Sequence, residues 1–167
     1  MNDEVKNFKE KLEQAEVPGL ALDIDETLAD SNLHWFEHMF KFHVPEGLTI
    51  EDVVKNYKFV EDVPGWQTEE SFKYMEGLLH SEEFNETIPL IEDSNSSVSK
   101  INAKIPIVAY ITARPATVLE ATKRWLTLHG FPEAPIIMRT EKLTASEADL
   151  SSRNEWKAQV LWDLFPQ

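Results

Sequence analysis

Two aspartates one residue apart, Asp23 and Asp25, stand in the stretch LDIDETL where an apolar run gives way to polar residues. In an extended segment, positions i and i+2 face the same way, so the two carboxylates start side by side. At about 5 Å and an effective dielectric of about 20 they repel by roughly 3 kcal/mol, enough to move one of them about two pKa units. One must therefore stay protonated, or a cation must sit beside them. Both states serve phosphoryl chemistry. A carboxylate beside a divalent cation can attack phosphorus, and a second carboxyl can protonate a leaving oxygen and then deprotonate water. The same residue pair also suits a plain capped turn after a strand. His34 and His38, at i and i+4 with His43 near, form a second arrangement of potential ligands. They lack a third ligand at a convincing spacing and read as ordinary helix residues, some of them able to touch a substrate.

The elements that must position these groups follow from periodicity. Val5, Phe8 and Leu12 predict an amphipathic helix over residues 3–15, ended by Pro18 and Gly19. Residues 20–24 predict a short buried strand, and LHWFEHMFKFHV a helix. TIEDVVKNY and TEESFKYMEGLL read as two further helices with Thr49 and Thr68 as N-caps. Residues 94–100 are a polar connection or short helix. IPIVAYI, residues 105–111, is a second apolar strand bounded by Thr112 and Pro115. Val118, Leu119, Ala121, Trp125, Leu126 and Leu128 mark a helix closed by Gly130. APIIMRT is a third strand, and Asn154 caps a last helix with Trp156, Val160, Leu161 and Leu164 on its apolar side. Apolar strands separated by helices predict an α/β fold, a Rossmann-like three-layer parallel sheet in which ligands gather at the carboxyl ends of the strands. Residues 1–29 and 88–167 are assigned to this core, and residues 30–87 to a small helical insertion.

The composition narrows the partners. Of 167 residues 42% are hydrophobic and 28% charged, ordinary globular usage. The formal net charge of −14 repels a phosphate polymer, so nucleic acid is excluded as a partner and a small anion needs local cations or donors. The sequence has no cysteine, which removes disulfides, thiolate catalysis and cysteine-held zinc. No apolar run is long enough to cross a membrane and the start is charged, which predicts a cytoplasmic protein without a membrane partner.

DIDETL, with an apolar strand before it and Thr27 two places after the second aspartate, resembles the first signature of the haloacid dehalogenase (HAD) superfamily, in its phosphatase branch. The resemblance implies that Asp23 is the nucleophile and Asp25 the general acid and base. It implies a Mg2+ cofactor held by the Asp23 side chain and the Asp25 main-chain carbonyl, with Thr27 fixing the turn. Thr112, at the end of IPIVAYI, resembles the second motif, whose hydroxyl binds the transferred phosphoryl group. Arg114 in TARP resembles an arginine found beside it in several phosphatase members. Lys157 resembles the third motif, a lysine neutralising nucleophile and phosphate; Lys142 is the competing choice. The insertion falls where many members carry a helical cap that closes over the site. Trp35, Phe36, Tyr57, Phe59, Trp66, Phe72 and Tyr74 are assigned mostly to its core, one or two free to stack on a base or sugar, and Glu82, Glu83 and Glu86 to a solvated face. The family's fourth strand, with its acidic metal ligands, has no counterpart before Gln167. The expectation is thus a core lacking the last strands, with a first-strand edge open to pairing, and Asp149 or Asp163 as substitute ligands. The implied function is Mg2+-dependent hydrolysis of a small soluble phosphorylated metabolite, a nucleotide being the first guess, through an aspartyl-phosphate. The alternative is an impaired or truncated HAD-like domain with a binding or regulatory role.

Overall fold

The computed structural model describes residues 19–139 and 150–164, together with helical Lys6, Asn7, Lys9, Glu10 and Glu13. Val5, Phe8 and Leu12, on which the first helix was predicted, lie outside the described residues, as do Lys142 and Asp149. Three parallel strands form one sheet in the order β1 (Leu20–Leu22), β2 (Ile107–Pro115), β3 (Ile136–Arg139). Between β1 and β2 come α1 (Ser31–Phe42), α2 (Ile50–Asn56), a 3-10 turn at Val60–Asp62, α3 (Glu69–Leu79), α4 (Glu82–Glu86) and α5 (Ser94–Asn102). A 3-10 turn at Ala116–Val118 and α6 (Leu119–Leu128) link β2 to β3, and α7 (Leu150–Leu164) follows.

The sheet is covered on both faces, which gives the three layers of a Rossmann-like α/β arrangement. On one face Tyr110 packs with Val98 of α5, Trp125 and Leu126 of α6, and Ile24, Leu28 and Phe131. On the other, Ala109, Ile111 and Ile137 pack with Val160 and Leu164 of α7. Alternation along β2 sends neighbouring residues to opposite layers. Among the described residues β1 lies at one edge of the sheet, with Leu20 36% exposed. No helix of the described residues is long and apolar enough to cross a membrane.

Gly19 is required by close approach. A Cβ there would overlap Val108 Cγ1 and come within 2.8 Å of its Cγ2. Gly19→Ala is therefore expected to cost roughly 1–3 kcal/mol, read as a lower denaturation midpoint; an unchanged midpoint would contradict the packing of β1 on β2.

The inserted helices have their own core of Phe36, Met39, Val53, Val63, Trp66 and Met75, with Trp35, Tyr57, Phe72 and Tyr74 packed on it. Phe59 stands outside that cluster, with the Lys58 ammonium 5.2 Å from its ring centroid. Thr49 starts α2 with a complete capping box to Asp52, and the Thr68 hydroxyl accepts from the Ser71 amide to start α3. Thr49→Ala is expected to cost about 1 kcal/mol in thermal melting, because the Asp52 amide loses its acceptor and the Asp52 carboxylate loses the Thr49 hydroxyl.

Several boundaries differ from expectation, each for a local reason. β1 stops at Leu22 because the Ile24 carbonyl turns away to accept from the amides of Thr27, Leu28 and Ala29. β2 runs on through Pro115, pairing there with Arg139 of β3 after β1 has dropped away at Tyr110. A proline is tolerated at a strand end where no partner needs its missing N–H. α7 begins at Leu150, so Asn154 lies within the helix and is not its cap. Leu128, assigned to the apolar side of α6, is 76% exposed. The acidic run is not merely solvated: α4 packs on α6, where Arg124 bonds Glu82 and Glu86.

Candidate active site

The chain after β1 makes a tight turn. Glu26 takes left-handed backbone (φ 59°), its amide donates to Ala29 O at 2.9 Å, and its carboxylate accepts from the Asn32 amide at 2.7 Å. The turn is thus closed by main-chain bonds and by Glu26. Thr27 is exposed and donates its amide to Ile24 O at 3.3 Å within this turn.

Both aspartates lie beyond the end of β1, where strand alternation no longer orients them, and each has found its own cation. Asp23 accepts from Lys157 Nζ of α7 on Oδ2 and from the Ile24 amide on Oδ1 at 2.8 Å. Its side chain is 36% exposed and that of Lys157 25%. Asp25 is enclosed by donors. Arg114 Nε lies 3.1 Å from both carboxylate oxygens and Arg114 Nη2 2.8 Å from Oδ1. Thr112 Oγ1 donates to Oδ2 at 3.1 Å, and Ser31 Oγ, at the start of α1, donates to Oδ1 at 2.6 Å. Burial alone would push the Asp25 carboxyl up, but the Arg114 charge and the hydrogen bonds from Arg114, Ser31 and Thr112 together outweigh it and hold it at about 2. Asp25 is therefore ionised at neutral pH in this arrangement.

Thr112 and Arg114 sit on consecutive same-facing positions of β2, beyond the last residue paired with β1, and the Arg114 amide donates to Thr112 Oγ1 at 3.2 Å. Arg114 is almost fully buried, its guanidinium carbon 5.8 Å from the centroid of the Trp125 ring. Its Nη1 is buried without a hydrogen-bond partner among the described residues. An unpaired buried guanidinium donor is costly, and an oxyanion is the ligand that best satisfies it. The structure thus gathers Asp23, Asp25, Thr112, Arg114 and Lys157 at the carboxyl ends of β1 and β2, from segments up to 134 positions apart.

Ser31 is the member of this cluster that the sequence reading missed. Its signal is slight: a serine after an Asp30 that makes no side-chain cap bond, at the first position of a helix. Beside the turn opens a cleft of about 590 Å3, walled by Glu26, Asp30 and Asn32 on one side and Val54 to Lys58 of the insertion on the other. That volume falls within the range of small-molecule sites.

For a divalent cation the available oxygens are the Asp23 carboxylate and the Asp25 main-chain carbonyl, which accepts no hydrogen bond among the described residues. Mg2+ keeps several waters and takes phosphate oxygens, so two such donors fit it. The Asp25 carboxylate is fully engaged by other donors and is not part of that set. No group of three acidic or histidine side chains able to hold a metal occurs among the described residues. Asp163 accepts from Gln159 on an exposed stretch of α7. His34 Nε2 donates to Phe84 O at 3.1 Å and His38 Nδ1 to His34 O at 2.9 Å, so each ring spends one nitrogen on the main chain. Burial and the neighbouring His38 push the His34 imidazole down to about 4, which keeps it neutral.

The chain matches no family model and no curated protein.

Proposed function

We propose that this chain is a Mg2+-dependent phosphomonoester hydrolase of the haloacid dehalogenase type, acting in the cytoplasm on a small phosphorylated metabolite, with a nucleotide as first candidate. The core is formed by residues 1–29 and 88–167, and residues 30–87 serve as its cap. The observation that carries the reading is the meeting of two carboxylates, each with its own cation, with the Thr112 hydroxyl and an unsatisfied Arg114 nitrogen at one strand end.

In this reading Asp23 Oδ attacks phosphorus, the bond to the leaving oxygen breaks, and an aspartyl-phosphate forms. Arg114, Thr112 and Lys157 orient the phosphoryl oxygens and balance their charge. Asp25 gives a proton to the leaving oxygen and then takes one from the water that attacks the aspartyl-phosphate and frees phosphate. Proton donation requires that Asp25 first be released from Arg114, since paired with that cation it is held ionised. A bound Mg2+, on the Asp23 carboxylate and the Asp25 carbonyl, supplies further charge neutralisation to the phosphoryl group.

The test is hydrolysis of a generic phosphomonoester by the full chain with Mg2+ and with a chelator. Turnover that chelation abolishes and added Mg2+ restores is the expected result. The absence of turnover under both conditions would sink the reading and favour a binding or regulatory domain.

A further inference from the structure

We infer that Thr112 and Arg114 form an oxyanion site which the chain's own Asp25 carboxylate fills at rest, so that an incoming phosphate binds by displacing that carboxylate. The inference deepens the phosphatase reading and rests on it for the identity of the oxyanion.

The donors cannot serve two anions at once. Thr112 has one hydroxyl proton, and it lies on Asp25 Oδ2 at 3.1 Å. The Nε and Nη2 edge of the Arg114 fork, the edge that matches a carboxylate or phosphate with two parallel bonds, is taken up by the same group. Only Nη1 remains open, and it is buried. Phosphate, with more charge and more acceptor oxygens than a carboxylate, can satisfy Nη1 and take over the rest, provided that Asp25 leaves. Asp25 has somewhere to go: its side chain is 29% exposed, against 4% for Arg114. Ser31 holds the closed arrangement, since its hydroxyl donates to Asp25 Oδ1 at 2.6 Å and makes no hydrogen bond to Thr112 or Arg114. Ser31 is thus a positioning residue that sets how firmly Asp25 competes.

The experiment is calorimetric titration of inorganic phosphate into the full chain, metal-free, with folding checked by thermal melting. Asp25→Asn, which removes the competing charge and keeps the shape, is expected to tighten phosphate by about tenfold or more. Ser31→Ala leaves every charge in place and weakens only the hold on Asp25, so it is expected to tighten phosphate about fivefold. It also carries the test should Asp25→Asn fold poorly. Asp30→Asn removes a nearby negative charge that does not touch Arg114 and should change affinity less than about twofold. Unchanged or weaker phosphate binding in Ser31→Ala and Asp25→Asn, no phosphate binding by any variant, or equal tightening in Asp30→Asn would overturn the inference. Hydrolysis without tightening leaves the phosphatase reading and removes the inference; tightening without hydrolysis does the reverse.

Discussion

Asp23→Asn is expected to lower turnover of a generic phosphomonoester by roughly a thousandfold or more, while leaving the fold in place. The substitution keeps the shape of the side chain and an oxygen able to accept from the Ile24 amide at 2.8 Å. It removes the charged oxygen that attacks phosphorus, and a carboxamide is too weak a nucleophile to replace it. The ion pair with Lys157 is lost as well, but both partners are partly exposed. Such pairs contribute about 0–1 kcal/mol, so the melting temperature should move by only a few degrees. Full activity in this variant would remove Asp23 from the mechanism. A large fall in stability together with the fall in rate would shift the explanation from chemistry to folding.

Arg114→Ala is expected to produce the largest loss of stability, about 3–5 kcal/mol at neutral pH, or roughly 10 °C in melting temperature. The reason is the carboxylate left behind. In the native arrangement Asp25 sits at about 2 against an ordinary 3.8, so its ionised form contributes roughly 2 kcal/mol of stability. That contribution is complete above 3.8 and is lost as the pH falls through about 2. Without Arg114, burial is opposed only by the hydrogen bonds from Ser31 and Thr112, and the carboxyl rises from about 2. The ionised form then loses stabilisation at neutral pH, and protonation on acidification narrows the difference from the native protein. The gap between native and variant melting temperatures should therefore be widest near pH 7 and close as the pH drops below about 4. A gap independent of pH would show that Arg114 acts through packing on Trp125 and not through Asp25.

What could be read from the sequence depended on whether the signal was local. Thr49 and Thr68 capped their helices as expected because a cap needs only its own next three residues. Asp23 and Asp25 were legible as a charge problem to be met by protonation or by a cation, and Lys157 and Arg114 supply the second solution. That Lys157 would serve Asp23 was implied by the resemblance, whereas the pairing of Arg114 with Asp25 was not legible. That assignment follows from β1 ending at Leu22, and the ending follows from the turn taken by the Ile24 carbonyl. Ser31 escaped because a serine at the first position of a helix is common, and only the fold brings its hydroxyl to Asp25. Arg124 was unremarkable until α4 packed on α6 and set Glu82 and Glu86 against it.

The two chain segments that join the inserted helices to the sheet are zipped together. Ala29 bridges Leu90 antiparallel, the Asp30 amide donates to Pro89 O at 2.8 Å, and the Ile91 amide to Leu28 O at 2.9 Å. α4 is clasped to α6 by Arg124, His80 Nδ1 bonds Thr117 Oγ1 at 2.7 Å, and Trp125 Nε1 donates to Ile88 O at 2.8 Å. The insertion is therefore held by one doubled neck, and α4, bound to α6, also carries α1, whose His34 donates to Phe84 O at 3.1 Å. Ser31 lies where α1 leaves that neck, so a shift of α1 bears directly on Asp25. In hydrogen exchange the amides of Asp30 and Ile91 are expected to be slow, because each is bonded across the neck.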